Sequence, residues 1–173
     1  NIVTVTKQNG KIEKYTAKNI VIGTGSVPMS LPGVKIDEKT VVSSTAALSF
    51  KQVPEELVVI GAGYIGLELS SVWKRLGSKV TVIEFLDHII PGMDKDISDE
   101  FLKILSKQGI NFKLSSKVES VSIVENKAIV DFINNESKQK EQIKCDKVLV
   151  AVGRKPKINQ DLLKLGIKID EKG

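Results

Sequence analysis

Three glycines lie within the stretch "LVVIGAGYIGLEL", residues 57–69, at positions 61, 63 and 66. An apolar run precedes them and a helical pattern follows, as in a strand-turn-helix unit. In such a unit the first glycine allows the tight turn, the second lets the backbone approach a pyrophosphate, and the third lets the helix lie close to the strand. The helix N-terminus offers free N–H groups to the phosphates. The spacing of Gly61, Gly63 and Gly66 therefore predicts a dinucleotide site.

An acidic residue, Glu84, ends the next apolar run, "KVTVIE" (79–84), 23 residues after the first glycine. A carboxylate at this place accepts hydrogen bonds from the adenosine ribose hydroxyls of a dinucleotide. It would also repel the 2′-phosphate of NADP, and residues 85–87 contain no arginine that could neutralise one. Glu84 therefore favours NAD as the nucleotide. The alternative interpretation is a solvated glutamate at a strand end.

The elements around these residues alternate between strand and helix. "ELVVIG" (56–61) predicts a strand that is buried on both faces, and "INFKL" and "KVLVAVG" (147–153) predict two more. One helix is predicted after the glycines, with Gly77 as its stop and with these inner-face residues: Ile65, Leu69, Val72 and Leu76. A second is predicted with Asp94 as its cap and Gly109 as its stop, and with this inner face: Ile97, Phe101, Ile104 and Leu105.

The remaining segments predict strands and one connection. "IVTV" and "KIEKY" alternate around Gln8-Asn9-Gly10, which predicts a hairpin whose turn uses the positive φ angles of Asn-Gly. "NIVIGTGSVP" predicts a buried strand ending in a glycine turn, and 29–45 lacks periodicity. Three alternating runs, near 117–124, 128–134 and 141–145, predict an antiparallel meander. The predicted fold class is α/β, a Rossmann-like dinucleotide-binding domain with a parallel sheet and an antiparallel β-meander.

Composition narrows the possible classes of partner. No apolar run approaches the roughly 18 residues of a membrane helix. The net charge of +5 comes from residues 138–173, where ten Lys/Arg face five Asp/Glu. With only two arginines in the chain, this excess indicates a solvated lysine-rich surface and argues against a nucleic-acid partner. The single cysteine, Cys145, excludes an internal disulfide or a zinc cluster and favours a reducing compartment.

Three longer stretches resemble a known family. "VVIGAGYIGLELSSVWKRLGSKVTVIEF", "KQGINFKLSSKV" and "VLVAVGRKP" are similar to the NAD domain of the flavoprotein disulfide reductases, and within that family to the lipoamide dehydrogenase branch. In that family the NAD domain is inserted into an FAD domain. The resemblance therefore implies that 1–45 is the C-terminal part of a first FAD-domain segment, 46–158 the NAD-binding domain, and 159–173 the start of the return to the FAD domain.

The resemblance also implies site residues. Thr24, Gly25 and Ser26 would contact FAD, next to Gly23, where the family usually has alanine. Ten residues would line the NAD site: Gly61, Ala62, Gly63, Tyr64, Ile65, Gly66, Glu68, Glu84, Val118 and Gly153. Tyr64 matches an aromatic lid that covers the flavin in some relatives, although the position also suits an ordinary first-turn residue. Glu68 matches a carboxylate that pairs with a lysine beside the flavin, and the alternative is a surface glutamate.

The activity implied by the resemblance is oxidation of dihydrolipoamide through a redox disulfide and FAD, with reduction of NAD. The implied partners are the dihydrolipoamide-bearing domain of 2-oxo acid dehydrogenase complexes and a second copy of the parent chain, in a bacterial cytoplasm or a mitochondrial matrix. The family's flavin GxGxxG, CxxxxC disulfide and His-Glu pair have no counterpart in these 173 residues, so we expect no turnover from them alone.

Two alternatives stay open at this point: the NAD domain of another disulfide reductase or an NADH oxidase, and a stand-alone NAD-binding module without chemistry. Three further residues could suggest chemistry by their type, and each is interpreted as structural. Cys145 is expected to be a small buried hydrophobe, His88 a loop residue, and Trp73 a packing residue.

Overall fold

The computed structural model describes residues 2–158 and 160–171, which divide into two compact units. The larger unit is Val27–Lys155, and the smaller consists of the described parts of Asn1–Ser26 and Pro156–Gly173. The strands are β1 (Ile2–Thr6), β2 (Ile12–Thr16), β3 (Ser26–Pro28), β4 (Val41–Val42), β5 (Glu56–Ile60), β6 (Lys79–Ile83), β7 (Asn111–Lys113), β8 (Ser116–Val124), β9 (Lys127–Asn134), β10 (Lys140–Cys145), β11 (Lys147–Val150) and β12 (Arg154–Pro156). The helices are α1 (Ser44–Ala47), α2 (Tyr64–Arg75), α3 (Lys95–Lys107) and α4 (Gln160–Lys164).

A five-stranded parallel sheet, in the order β4-β11-β5-β6-β7, forms the centre of the larger unit. Successive side chains of a strand point to opposite faces, so an all-apolar strand can serve two cores. In β5, Leu57 and Val59 join the cluster that α2 and α3 complete, whereas Val58 and Ile60 join the cluster on the other face. Burial on both faces explains why these strands read as continuous apolar runs.

The second face of the parallel sheet is covered by the predicted meander. β8, β9 and β10 form an antiparallel sheet in the order β10-β9-β8. Its inward side chains Ala128, Val130 and Phe132 are buried against the cluster that contains Val58 and Ile60. The larger unit is thus a three-layer structure of helices, parallel sheet and meander, and the predicted α/β Rossmann-like class is confirmed.

Helix α2 turns a different face to the core from the one that the apolar spacing predicts. Leu67, Leu69 and Trp73 are buried, but the predicted inner residues Val72 and Leu76 are 48% and 55% exposed. The small residue Gly66 explains the difference, because it lets the helix lie against the sheet: a Cβ there would be 3.3 Å from the Cγ1 of Val59. A search for large apolar side chains does not detect a buried helix face that has a glycine at its centre.

For helix α3 the predicted ends are confirmed, but the predicted inner face is only partly buried. Its N-cap is Asp94, whose carboxylate accepts from the Asp96 N–H at 3.0 Å, as predicted. Gly77 after α2 and Gly109 after α3 both have the positive φ of helix stops. On α3 itself Leu105 is buried and Phe101 packs against the core, but the predicted inner residues Ile97 and Ile104 are 54% and 43% exposed.

Two predictions about the first 45 residues need correction. Residues 20–25 are not a buried strand: only Ser26–Pro28 pairs, and Val21 is 93% exposed, because no strand among the described residues covers this run. The aperiodic segment 29–45, predicted as a connection, also contains β4, which is bonded to β11 in the central sheet. The hairpin β1–β2 is confirmed, with positive φ at Gly10 but not at Asn9.

Among the described residues, no helix combines the length and the apolar character that a membrane span requires. The longest, α3, has 13 residues and carries charged side chains on each of its turns.

Candidate dinucleotide site

A cleft of about 930 Å³ opens at the carboxyl ends of the parallel strands of the larger unit. Ile60 at the end of β5, Ile83 at the end of β6 and Val150 at the end of β11 form part of its floor. From β5 the chain proceeds through β6 to β7 on one side, while β11 lies on the other. Ligands of open α/β sheets bind at such a switch point, outside the carboxyl ends of the strands.

The three positions of the loop after β5 are occupied by glycine for different structural reasons. Gly61 has φ +102°, and a Cβ there would be 2.6 Å from the carbonyl oxygen of Ala151. A Cβ at Gly66 would be 2.2 Å from the carbonyl oxygen of Gly61. Gly63 has an ordinary φ of −74°, lines the cleft, and would find no atom within 4 Å of its Cβ. The fold itself requires two of the glycines, and the third leaves open space on the cleft side.

The N-terminus of α2 faces the same loop. Gly63 is its N-cap and supplies no side-chain hydrogen bond, and no acidic residue lies in the first turn. The first N–H groups of a helix have no partner within the helix and carry the positive end of its dipole. Lys74 and Arg75 lie in the last turn, where they complement the negative end. The cleft end of α2 can therefore attract an anionic group such as a pyrophosphate.

Glu84 lines the cleft directly after β6 and is only 8% exposed. Its Oε2 accepts from the Ala62 N–H at 2.6 Å, and its Oε1 accepts from the Leu86 N–H at 2.9 Å. Each carboxylate oxygen has two lone-pair sites, so both retain capacity for further donors. The sequence pattern predicted a carboxylate at this point but not its bond to the glycine loop, since that contact depends on the loop's three-dimensional shape.

The structure brings most of the predicted site residues together. Seven of the ten line the cleft: Gly61, Gly63, Tyr64, Ile65, Glu84, Val118 and Gly153. Tyr64 is 69% exposed, so its ring stands at the solvent side. Ala62 and Gly66 are buried within the loop, and Glu68 is exposed on α2 and is not among the residues that line the cleft. Of the ten predicted NAD residues, Glu68 is the exposed one that does not line the cleft.

Several lining residues were missed by the sequence reading. Phe85, 59% exposed, follows Glu84 directly, and Lys117 precedes Val118. Their adjacency in sequence to the predicted site residues Glu84 and Val118 was the available signal. Arg154 also lines the cleft and follows the predicted residue Gly153, so the same signal was available for it. Pro91 lines the cleft as well, and nothing in its local sequence indicates it.

A comparison with known protein families finds a match over the full chain. The family model described as "Pyridine nucleotide-disulphide oxidoreductase" matches residues 1–173. The chain belongs to the pyridine nucleotide-disulphide oxidoreductase family. Mitochondrial dihydrolipoyl dehydrogenase of Bos taurus is 50% identical over 176 residues, which cover 100% of this chain and 35% of that protein. This family member thus spans about a third of the length of that curated relative.

Solved structures give the same picture. The Cu(II) complex of the HOCl-induced flavoprotein disulfide reductase RclA from Escherichia coli has a TM-score of 0.80 and 32% identity, covering 99% of this chain and 38% of that one. LpdA from Mycobacterium tuberculosis has a TM-score of 0.83, covering 98% and 36%, but only 21% identity, which supports the shared fold alone.

The smaller unit of this oxidoreductase family member contains the three residues expected at FAD. Thr24 Oγ1 donates to the Lys157 carbonyl at 2.6 Å, and the Lys157 N–H donates to the Gly25 carbonyl at 2.9 Å. Gly25 has φ +80°, so the chain turns sharply there, and Ser26 begins β3. These contacts hold the 24–26 turn against the segment after β12.

The residues interpreted as structural behave as such. Cys145 is fully buried, and burial raises the pKa of its thiol to about 12, so it is protonated and inert at neutral pH. His88 Nδ1 lies 2.6 Å from Asp87 Oδ1, and this hydrogen bond lowers the pKa of the Asp87 carboxyl. Trp73 packs against Phe50 with ring centroids 5.0 Å apart. Within the described residues no group of histidine, cysteine and carboxylate side chains could hold a metal ion.

Proposed function

We propose that this chain binds NAD in the cleft and is the NAD-binding part of a dihydrolipoyl dehydrogenase, together with flanking parts of its FAD domain. The observation that carries the proposal is the convergence, at one switch point, of the open Gly63 backbone, the uncapped N-terminus of α2 and the buried carboxylate of Glu84. The 50% identity to the bovine enzyme over the whole chain supports the choice within the family.

Each part of the cleft has a role in holding the dinucleotide. The loop from Gly61 to Gly66 and the start of α2 hold the pyrophosphate through backbone N–H groups. Glu84 accepts hydrogen bonds from the adenosine ribose with the lone pairs that Ala62 and Leu86 leave free. Val118 supplies an apolar wall, 7% exposed, for the adenosine half. The negative charge of Glu84 selects NAD over NADP, since a 2′-phosphate would lie against it.

The other end of the cleft orients the nicotinamide half. NAD supplies a hydride acceptor when it is bound, and this chain supplies position and shielding from water. Tyr64 and Gly153 line the cleft, and the exposed ring of Tyr64 can move without disturbing the core. We therefore assign Tyr64 the role of a lid over the reacting ring. Glu68 is exposed on the same helix. We assign it an ion pair with a lysine that lies beside the flavin in the parent protein.

The smaller unit is assigned to the FAD domain of the parent protein. Thr24, Gly25 and Ser26 form one edge of an FAD site, with 1–45 and 159–173 as parts of the FAD domain around an NAD domain at 46–158. The exposed apolar run 20–25 supports this assignment, since it lacks a cover among the described residues. The parent is proposed to be a homodimer that serves the dihydrolipoamide-bearing domain of a 2-oxo acid dehydrogenase complex. Its compartment is proposed to be the bacterial cytoplasm or the mitochondrial matrix.

A segment exchange tests the activity. The 176 aligned residues of bovine dihydrolipoyl dehydrogenase are replaced by this chain, and lipoamide-dependent NAD reduction is measured. We expect turnover, because the chain supplies the NAD half of the site. A control chimera carries the corresponding segment of the water-forming NADH oxidase from Lactobacillus brevis, which is 24% identical to this chain. A folded, flavin-loaded chimera with this chain that is no more active than the control would contradict the assignment.

The isolated chain tests whether these 173 residues bind NAD without the rest of the parent protein. We expect it to bind NAD, to be colourless because its flavin phosphate loop is absent from these residues, and to show no turnover. A yellow chain with lipoamide-dependent turnover would mean that the catalytic groups lie within these 173 residues. Failure to bind NAD in titration calorimetry, with the fold intact by circular dichroism, would remove both the dehydrogenase proposal and the stand-alone NAD module.

A further inference from the structure

The peptide groups around Ala62, in the middle of the glycine loop, are held from two sides. Its N–H donates to Glu84 Oε2 at 2.6 Å, and its carbonyl accepts from the Ile90 N–H at 2.8 Å. Ala62 itself is fully buried. Both contacts come from one stretch of chain, residues 84–90, which follows β6 and is not part of the loop. The loop's shape therefore depends on a segment that lies more than 20 residues further along the chain.

The Glu84 side of this contact uses both oxygens of a nearly buried carboxylate. One oxygen holds Ala62 and the other holds Leu86, at 2.9 Å. Two backbone N–H donors that point at one side chain need two acceptors, and a carboxylate is the side chain that provides them. A glutamine would present one oxygen and one NH₂ group, so one N–H would face another donor. The need for two acceptor oxygens at position 84 thus exists before any nucleotide arrives.

The Ile90 side of the contact is strained. Ile90 has φ +42°, a backbone conformation in which a β-branched residue is an outlier. Its neighbours hold it there: Ile89 is fully buried, and the Ile89 carbonyl accepts from Ser98 Oγ at 2.8 Å. Such strain persists only where the surrounding structure imposes it, and it concentrates at functional sites. Here the strained residue directs its N–H at the carbonyl of Ala62.

We propose that residues 84–90 are a brace that fixes the glycine loop in its binding shape before the cofactor arrives, and that Glu84 is a positioning residue for the loop as well as a ribose acceptor. The inference rests on the proposed NAD site. A preorganised loop loses less conformational freedom when a ligand binds, so the brace raises affinity for any ligand that the loop holds through its phosphates. A contact with ribose hydroxyls alone would raise affinity only for ligands that carry those hydroxyls.

The test combines two ligands with four chains. The ligands are NAD and an NAD analogue whose adenosine is 2′,3′-dideoxy, so that it has no adenosine-ribose hydroxyl for Glu84 to bind. The chains are the wild type, Glu84→Ala, Glu84→Gln and the charge control Glu100→Gln, which changes an exposed carboxylate on α3. Affinities are measured by titration calorimetry, and the fold of each chain is checked by the emission of Trp73, the single tryptophan. In the NAD-free chains, amide hydrogen exchange is measured at Ala62 and Ile90.

We expect both Glu84 variants to weaken the dideoxy analogue by about three- to tenfold, the loss of one loop hydrogen bond. Glu84→Ala should weaken NAD by more than that, and Glu100→Gln should change neither affinity. In the NAD-free variants the Ala62 and Ile90 amides should exchange faster than in the wild type. Affinity for the analogue that is unchanged in a folded Glu84→Ala chain would overturn the brace and leave a ribose contact only.

The exchange measurement separates this inference from the proposed function. If the wild-type chain binds neither ligand, the NAD site fails, and faster Ala62 exchange in Glu84→Ala still supports the brace. If NAD binds but Ala62 and Ile90 exchange equally in all four chains, the brace is overturned and the NAD site stands.

Discussion

The two compact units of this chain use similar strand patterns with opposite results. In Val27–Lys155 the meander strand β9 alternates, and its Ala128, Val130 and Phe132 are buried against the parallel sheet. In the smaller unit the hairpin β1–β2 alternates just as regularly, yet Ile2, Ile12 and Tyr15 are 64%, 62% and 52% exposed. Alternation therefore predicts a strand, but it does not say what will cover that strand.

The residues proposed to bind NAD and those proposed to contact FAD lie in different units. The whole candidate NAD site lies in the unit that completes its own core, whereas Thr24, Gly25 and Ser26 lie in the unit whose apolar surface stays open. An exposed apolar surface of this kind marks a contact with another part of a protein. We infer that the NAD site is complete within this chain and that the flavin edge needs the rest of the parent.

The largest expected difference between the units is in the free energy of unfolding. Phe132→Ala removes a ring that is 1% exposed between the parallel sheet and the meander, and should cost about 3–5 kcal/mol. Tyr15→Ala, the matched aromatic truncation in the smaller unit, should leave the unfolding of the larger unit within about 0.5 kcal/mol. Urea unfolding followed by Trp73 emission measures both. Equal losses would mean that the units unfold as one cooperative body.

The second prediction compares two glycines with similar freedom. Gly63→Val should abolish NAD binding because the side chain enters the space that a pyrophosphate needs, while α2 persists, since no atom lies within 4 Å of its Cβ. Gly23→Val is the control: that position also has no atom within 4 Å and no positive φ, but it lies in the smaller unit. Titration calorimetry should give wild-type affinity for Gly23→Val. NAD bound equally by a folded Gly63→Val chain would rule out this phosphate site.

The third prediction concerns nucleotide choice within the larger unit. The wild-type chain should bind NAD much more tightly than NADP, because the 2′-phosphate would meet the Glu84 carboxylate. Glu84→Ala should weaken NAD by about 1–3 kcal/mol, through the lost ribose and loop hydrogen bonds. The same substitution should lower the ratio of NAD affinity to NADP affinity, since it removes the carboxylate that repels the 2′-phosphate while the cation Lys117 remains in the cleft. Competition titration with both nucleotides gives the ratio, and a wild-type ratio near one would contradict the role of Glu84.

The sequence predicted most of the larger unit because its signals are local. The glycine spacing, the acid after β6, the caps at Asp94 and Gly109, and the meander alternation each depend on residues within one or two elements. Side-chain period and turn chemistry suffice for such features. The candidate site followed from them, since the carboxyl ends of parallel strands meet at one edge of a sheet.

The sequence failed where the outcome depends on distant partners. The exposed run 20–25 has the composition of a core strand but no covering layer among the described residues. The two-residue strand β4 is too short to show a period and exists through its pairing with β11. The contact of Glu84 with Ala62 joins residues 22 apart through loop geometry. None of these is encoded in a window of neighbouring residues.

The last prediction uses Cys145, which lies at the end of β10 inside the larger unit. Burial raises the pKa of its thiol from 9.0 to about 12. A group whose pKa is higher in the folded state binds its proton more tightly there, so its stabilising contribution is complete below the unfolded-state value and is lost as pH rises. The wild-type chain should therefore lose stability relative to Cys145→Ala between pH 8 and pH 10, by roughly 1 kcal/mol at pH 10.

The measurement is the difference in unfolding free energy between the two chains across that pH range. Lysine and tyrosine titrations occur in both chains and cancel in the difference, whereas the cavity left by the alanine adds an offset that does not depend on pH. At pH 8 the folded wild type should also resist a thiol-alkylating reagent that labels the urea-unfolded chain. A difference that stays flat from pH 8 to pH 10, with rapid labelling of the folded chain, would mean that Cys145 is reached by water and that the core beneath the meander is open.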